Sequence, residues 1–169
     1  MIALLSVHNK ELIDVLANGL KRNGYDIICT IGTYEHLKER GIETKMTSEI
    51  TGFTELLDGR IKTLHPDIHH HIAKGKIDML AVNLIPLGTK DGPPLDSMDI
   101  GGVSLIRSGV KNWREVCVLT DPADYHKVIE DLRREGIGED TKLQCAIKAI
   151  KTVMTYDWNV LDALKNLKL

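Results

Sequence analysis

Ile2-Ala3-Leu4-Leu5-Ser6-Val7 sets the architecture of the whole chain. It is a near-continuous apolar run without polar alternation, the pattern of a strand covered on both faces, as in a parallel sheet flanked by helices. His8-Asn9-Lys10 follows, and Asn9 is the predicted N-cap of the next helix. Leu12, Ile13, Val15, Leu16 and Leu20 then recur at helical spacing until Asn23-Gly24 stops them. Working outward, the strand–turn–helix unit repeats. Tyr25 to Cys29 is a second short strand, Thr30-Ile31-Gly32-Thr33 turns into a helix ending near Arg40-Gly41, and Ile42 to Met46 is a third strand. Lys76 to Asn83 is the clearest inner strand of the middle of the chain. Residues 86–97 hold three of the five prolines and are predicted as a loop. Asp99-Ile100-Gly101-Gly102 leads into a helix, Val116 to Leu119 is a further strand, and 123–135 and 140–167 are helical. Strands alternating with helices give an α/β protein with a three-layer, mostly parallel sheet, helices on both faces and extra C-terminal helices. In such folds ligands sit beyond the carboxyl ends of the strands.

The totals narrow the function classes. At 169 residues the chain is read as one domain, 1–169, with enough length for a sizeable core. A net charge of −2 argues against a general nucleic-acid binder. Cys29, Cys117 and Cys145 are odd in number and far apart; the first two lie in strand-like runs and read as small core residues in a reducing compartment. No apolar run reaches membrane length, so a cytoplasmic protein without membrane or nucleic-acid partners is expected.

Thr51 to His71 gathers the chemistry. A turn of apolar helix, Phe53 to Leu57, breaks at Asp58-Gly59; Arg60 and Lys62 follow on alternate positions, which in an extended segment share one face. Thr63 adds a hydroxyl, and His65-Pro66 opens the next helix. Two cations, a hydroxyl and an imidazole suit an anionic, polar ligand. Between strand and helix, His8-Asn9-Lys10 and Thr30-Thr33 offer free backbone N–H groups to a phosphate, with Gly32 allowing close approach and Lys10 a point charge. Ordinary capping by Asn9, Thr33 and Asp99, and a solvated Lys111, is the competing reading. His65 and His69 have the i,i+4 spacing of a zinc pair, but no cysteine lies near them, and capping and packing are preferred; no metal is expected.

The order Asp58-Gly-Arg-Ile-Lys-Thr-Leu-His-Pro66 closely resembles the active-site loop of the IMP cyclohydrolase domain of the bifunctional AICAR transformylase/IMP cyclohydrolase family, which has a methylglyoxal-synthase-like fold. Asp99-Ile-Gly-Gly102, Lys111-Asn112, Asn83-Leu-Ile-Pro86 and Lys148 to Asp157 are similar to further segments of that family. Ile85 stands where the family has a tyrosine, and Ile31 where it has a glycine; Tyr34, at a helix start, is the phenol expected to substitute. The resemblance runs from residue 2 to about 160, covers only the cyclohydrolase domain, and so implies a stand-alone enzyme without transformylase activity.

What the resemblance implies is closure of 5-formamidoimidazole-4-carboxamide ribotide to IMP with loss of water, without metal or cofactor. Lys62 would stabilise charge on the formyl oxygen, and Asp99 and Lys111 would move protons. His8, Asn9, Lys10, Thr30, Gly32 and Thr33 would hold the phosphate end; Arg60, Thr63, Asn83, Ile100 and Gly101 would hold the base. The partner is a small nucleotide, and a homodimer is expected by analogy. Two rivals stay open. A methylglyoxal synthase would need a Gly-Gly-Asp segment where this chain has Asp-Gly-Arg-Ile-Lys. A non-catalytic nucleotide-binding module of the same fold would bind IMP but leave the formylated ribotide unconverted.

Overall fold

The structure, a computed structural model, describes residues 1–53, 63–89 and 91–167. Five strands form one parallel sheet in the order β3-β2-β1-β4-β5. They are β1 (Ile2–Val7), β2 (Asp26–Cys29), β3 (Lys45–Met46), β4 (Ile77–Asn83) and β5 (Cys117–Leu119). The helices are α1 (Ile13–Arg22), α2 (Ile31–Lys38), α3 (Ser48–Thr51), α4 (Pro66–Ala73), α5 (Gly101–Lys111), α6 (Tyr125–Arg134) and α7 (Glu139–Lys165).

The run that decided the fold is the sheet's centre. Successive side chains of a strand point to opposite faces. Ala3, Leu5 and Val7 enter one core layer with Ile13, Leu16 and Leu20 of α1, Leu37 of α2 and Val128 and Ile129 of α6. Leu4 enters the other with Ile68 and Ile72 of α4, Leu105 and Ile106 of α5 and Ala149 and Val153 of α7. A central strand with apolar side chains on both faces is what a sheet covered by helices on both sides demands. Gly109 permits the close seat of α5 on the sheet: a Cβ there would lie 2.6 Å from both Leu80 Cδ1 and Val118 Cγ2. Among the described residues no helix is long and apolar enough to cross a membrane.

Several local expectations change. Asn9 is not an N-cap: α1 begins at Ile13 after Leu12, whose φ of 55° turns the chain, and Asn9 Oδ1 instead accepts the Glu11 N–H at 3.0 Å. The strand expected over Ile42–Met46 shrinks to Lys45–Met46, which pairs with β2 only through Ile28 and Cys29. The apolar turn does not start at Phe53. Helix α3 precedes it and is ended by Gly52 at φ 68°, leaving Phe53 exposed, and the remainder of that turn lies outside the described residues. Pro94–Ser97 forms a 3-10 turn inside the expected loop. His65 keeps the capping role expected of it, its Nδ1 accepting the Asp67 N–H at 3.3 Å.

The strand order sets the site. From β1 the chain winds outward through β2 to β3, then returns across the sheet to place β4 on the other flank of β1. The loops leaving the carboxyl ends of β1 and β4 therefore diverge, and a crevice opens between them.

Candidate functional site

A cleft of about 430 Å³ occupies this switch point, within the usual range for a small-molecule site. Its lining comes from four places: the end of β1 and its loop, the first turn of α2, the segment after β4, and residues 95–102 before and into α5. Thr63 reaches it from the chain preceding α4. Of the expected site residues, His8, Lys10, Thr30, Gly32, Thr33, Thr63, Asn83, Asp99, Ile100 and Gly101 line this one cleft. Arg60 and Lys62 lie outside the described residues.

Geometry reassigns several of these side chains. Asn83 does not simply face a ligand. Its Oδ1 accepts the N–H groups of His8 at 2.6 Å and Asn9 at 2.9 Å, and its Nδ2 donates to the Asn9 carbonyl at 2.9 Å. It thus pins the β1–α1 loop to the end of β4, and two amides expected to greet a phosphate are already engaged. Lys10 Nζ folds back to donate to the carbonyls of Val7 and His8. Thr33 is fully buried; its hydroxyl accepts the Val7 N–H at 3.2 Å and donates to the Val7 carbonyl at 3.3 Å, fastening α2 to β1. What remains for an anion is the first turn of α2. Thr33 N–H makes the first bond back to Thr30, so the amides of Ile31 and Gly32 precede the helical ladder. Nothing lies within 4 Å of where a Gly32 side chain would start. Donors with open space before them and the positive end of a helix suit a phosphate.

The opposite wall is built around Asp99. Its Oδ1 accepts the Gly102 N–H at 2.7 Å, closing the first turn of α5, and its Oδ2 accepts the Ile85 N–H at 3.1 Å. Each carboxylate oxygen keeps a second lone pair. The glycine pair after it is required by crowding. A Cβ on Gly101 would overlap the Thr63 hydroxyl, and one on Gly102 would lie 2.7 Å from Asp99 Oδ2 and 2.8 Å from Leu84 Cδ2.

Lys111 corrects the expectation made for it. It ends α5, is exposed, and does not line the cleft; ten residues of rise put its Cα about 15 Å from Gly101. A cation at the last turn of a helix complements its dipole. Asn9 likewise is not among the lining residues and acts through its backbone bonds to Asn83. Tyr34 packs against the core layer under α1, with the Lys38 ammonium 5.7 Å from its ring centre, and is not the substitute phenol. A phenol does reach this wall, from an unexpected quarter: Tyr156 on α7 accepts the Asp99 N–H at 2.7 Å and donates to the Ile85 carbonyl at 2.9 Å. Sequence reading did not single it out beyond the resemblance of Lys148 to Asp157 to a family segment, and its partners lie 57 and 71 residues away.

An open parallel sheet with helices on both faces and a cleft at its switch point defines an α/β protein with a candidate ligand site. Comparison with known proteins narrows that class: the chain belongs to the MGS-like domain family, whose model matches residues 12–103. Residues 109–168 match the model of the AICARFT/IMPCHase bienzyme. The chain is similar to the bifunctional purine biosynthesis protein PurH of Aquifex aeolicus, with 40% identity over 189 aligned positions, 99% of this chain and 37% of that protein. It is 42% identical to PurH of Clostridium acetobutylicum over 178 positions, 92% of this chain and 36% of that one. The chain thus spans little more than a third of the length of these curated relatives. The crystal structure of ForH superposes with a TM-score of 0.86 at 30% identity, covering 97% of this chain and 98% of that one.

Proposed function

We propose that the protein is an IMP cyclohydrolase that closes 5-formamidoimidazole-4-carboxamide ribotide to IMP. The observation that carries the reading is the arrangement of the cleft: the α2 start suits a phosphate, and Thr63, Asp99 and Gly101 face it across a space of nucleotide size. The similarity to PurH along nearly the whole chain supports it.

In the reaction the carboxamide nitrogen attacks the formyl carbon. A C–N bond forms to give a tetrahedral carbinolamine. Its C–O bond then breaks and the oxygen leaves as water, with one proton from the carboxamide nitrogen and one from the formamido N–H, as the C=N bond of the new ring forms. An amide is a poor nucleophile, so holding its nitrogen against the formyl carbon supplies much of the acceleration. The phosphate rests on the Ile31 and Gly32 amides. Asp99, fixed by two backbone N–H groups, uses its remaining lone pairs to accept a proton from the attacking nitrogen. Lys62, which in sequence directly precedes the cleft-lining Thr63, stabilises the tetrahedral oxyanion. Lys111 can act here only if a second copy presents it, and light scattering tests whether the expected homodimer exists.

The decisive experiment supplies the purified protein with the formylated ribotide and follows IMP by its ultraviolet absorbance. Turnover above the spontaneous rate is expected, and Lys62→Ala should lower kcat by about 10²-fold, as for loss of an oxyanion donor. Ile85 lining the cleft in place of a tyrosine favours the one alternative, a nucleotide-binding module. IMP binding without any conversion would establish that alternative and overturn the enzyme.

A further inference from the structure

We propose that Tyr156 is the positioning residue for the base end of the cleft. The assignment rests on the cyclohydrolase reading and adds a residue from outside the cleft to it. The Tyr156 hydroxyl accepts from the Asp99 N–H at 2.7 Å and donates to the Ile85 carbonyl at 2.9 Å. Asp99 Oδ2 in turn accepts the Ile85 N–H at 3.1 Å, and Oδ1 the Gly102 N–H at 2.7 Å. Two of these four bonds join the segment after β4 to the start of α5 through a single side chain of α7, and the Asp99 carboxylate makes the other two. Both joined segments line the cleft, whereas Tyr156 itself does not.

Without the phenol, the Ile85 and Asp99 backbones would be linked by the Ile85 N–H bond to the Asp99 carboxylate, and the Asp99 N–H and the Ile85 carbonyl would lose their shared partner. With it, the backbone on both sides of that carboxylate is held, so the direction of the Asp99 lone pairs is set before any ligand arrives. Prepaid orientation of this kind acts on the chemical step more than on ligand affinity. Burial raises the phenol's pKa, outweighing the Asp99 N–H bond that lowers it, so the phenol keeps the proton it donates to Ile85. The phosphate end is built on β1 and α2, elements that this clamp does not touch.

The test is Tyr156→Phe, which keeps the ring and deletes both bonds, beside Thr152→Ala. Thr152 lies one turn earlier on α7 and bonds Thr120 and the Lys148 carbonyl away from the cleft, so it controls for general loosening of the helix. With the formylated ribotide as substrate, Tyr156→Phe should lower kcat about 10-fold while KM moves less than about 3-fold. Thr152→Ala should leave kcat at the wild-type value. Unchanged kcat in Tyr156→Phe, an effect confined to KM, or an equal kcat loss in Thr152→Ala overturns the assignment. Hydrogen exchange provides a reading independent of turnover. In the wild-type protein the Asp99 amide should be protected, and in Tyr156→Phe it should exchange about 10-fold faster or more. An Asp99 amide that exchanges at the unstructured rate in the wild type, or at the same rate in both proteins, overturns it too. An inactive wild type with a protected Asp99 amide would instead sink the cyclohydrolase reading, so the two failures are distinct.

Discussion

Replacing Asn83 should separate the scaffold of the cleft from its chemistry. The side chain makes three bonds to the β1–α1 loop, at 2.6, 2.9 and 2.9 Å. A hydrogen bond contributes about 0.5–1.5 kcal/mol net, and these lie near the surface, where water takes over part of each. Asn83→Ala should therefore cost about 1–2 kcal/mol, or a Tm lower by roughly 2–8 °C for a chain of this size. Asn83→Asp keeps acceptors for the His8 and Asn9 amides but sets a carboxylate against the Asn9 carbonyl and places a negative charge in the cleft. Its Tm should fall less than that of the alanine variant, while its affinity for IMP should fall more. Differential scanning fluorimetry with and without IMP reads both quantities. If Asn83→Ala melts within 1 °C of the wild type, or if the aspartate variant binds IMP as well as the alanine variant, the account of this loop is wrong.

Gly32→Ala should leave Tm unchanged or slightly raised, because its methyl meets nothing within 4 Å and alanine favours helix, yet KM for the ribotide should rise several-fold; an unaltered KM would remove the α2 start as the phosphate seat. Lys148 Nζ lies 2.7 Å from Asp121 Oδ2 and 2.8 Å from Asp124 Oδ2, and its hydrogen bond to Asp121 holds that carboxyl below the usual carboxylate range. A depressed pKa stabilises the fold above the unfolded value of about 4 and stops doing so as pH falls through the folded one. The stability gap between wild type and Lys148→Met in urea should therefore narrow from pH 5 to pH 3, and a gap independent of pH would refute the pairing.

Much of the architecture was written in local pattern. The unbroken apolar run of Ile2–Val7 required cover on both faces, the helical spacing from Leu12 to Leu20 located α1, and Pro66 located the start of α4, because these signals depend on residues a turn or a pleat apart. Motif order carried the family, and it also gathered ten of the expected residues onto one cleft. Tertiary structure decided what those residues do there. Asn83, Thr33 and Asp99 were legible as polar groups beside strand ends, and the bond of Asp99 to Gly102 is a local cap. Their other partners stand 74 and 75, 26, and 14 residues away, and no local pattern encodes such pairings. Lys111 matched its motif and yet stands at the far end of α5 from the cleft, because helical rise separates what sequence places twelve residues apart. Tyr156 shows the converse: it lay unremarked in a helix read from apolar spacing, and its hydrogen bonds to Asp99 and Ile85 exist only once α7 has packed against α5. Periodicity thus determined which elements form, and close packing of distant segments decided which side chains remain available to a ligand.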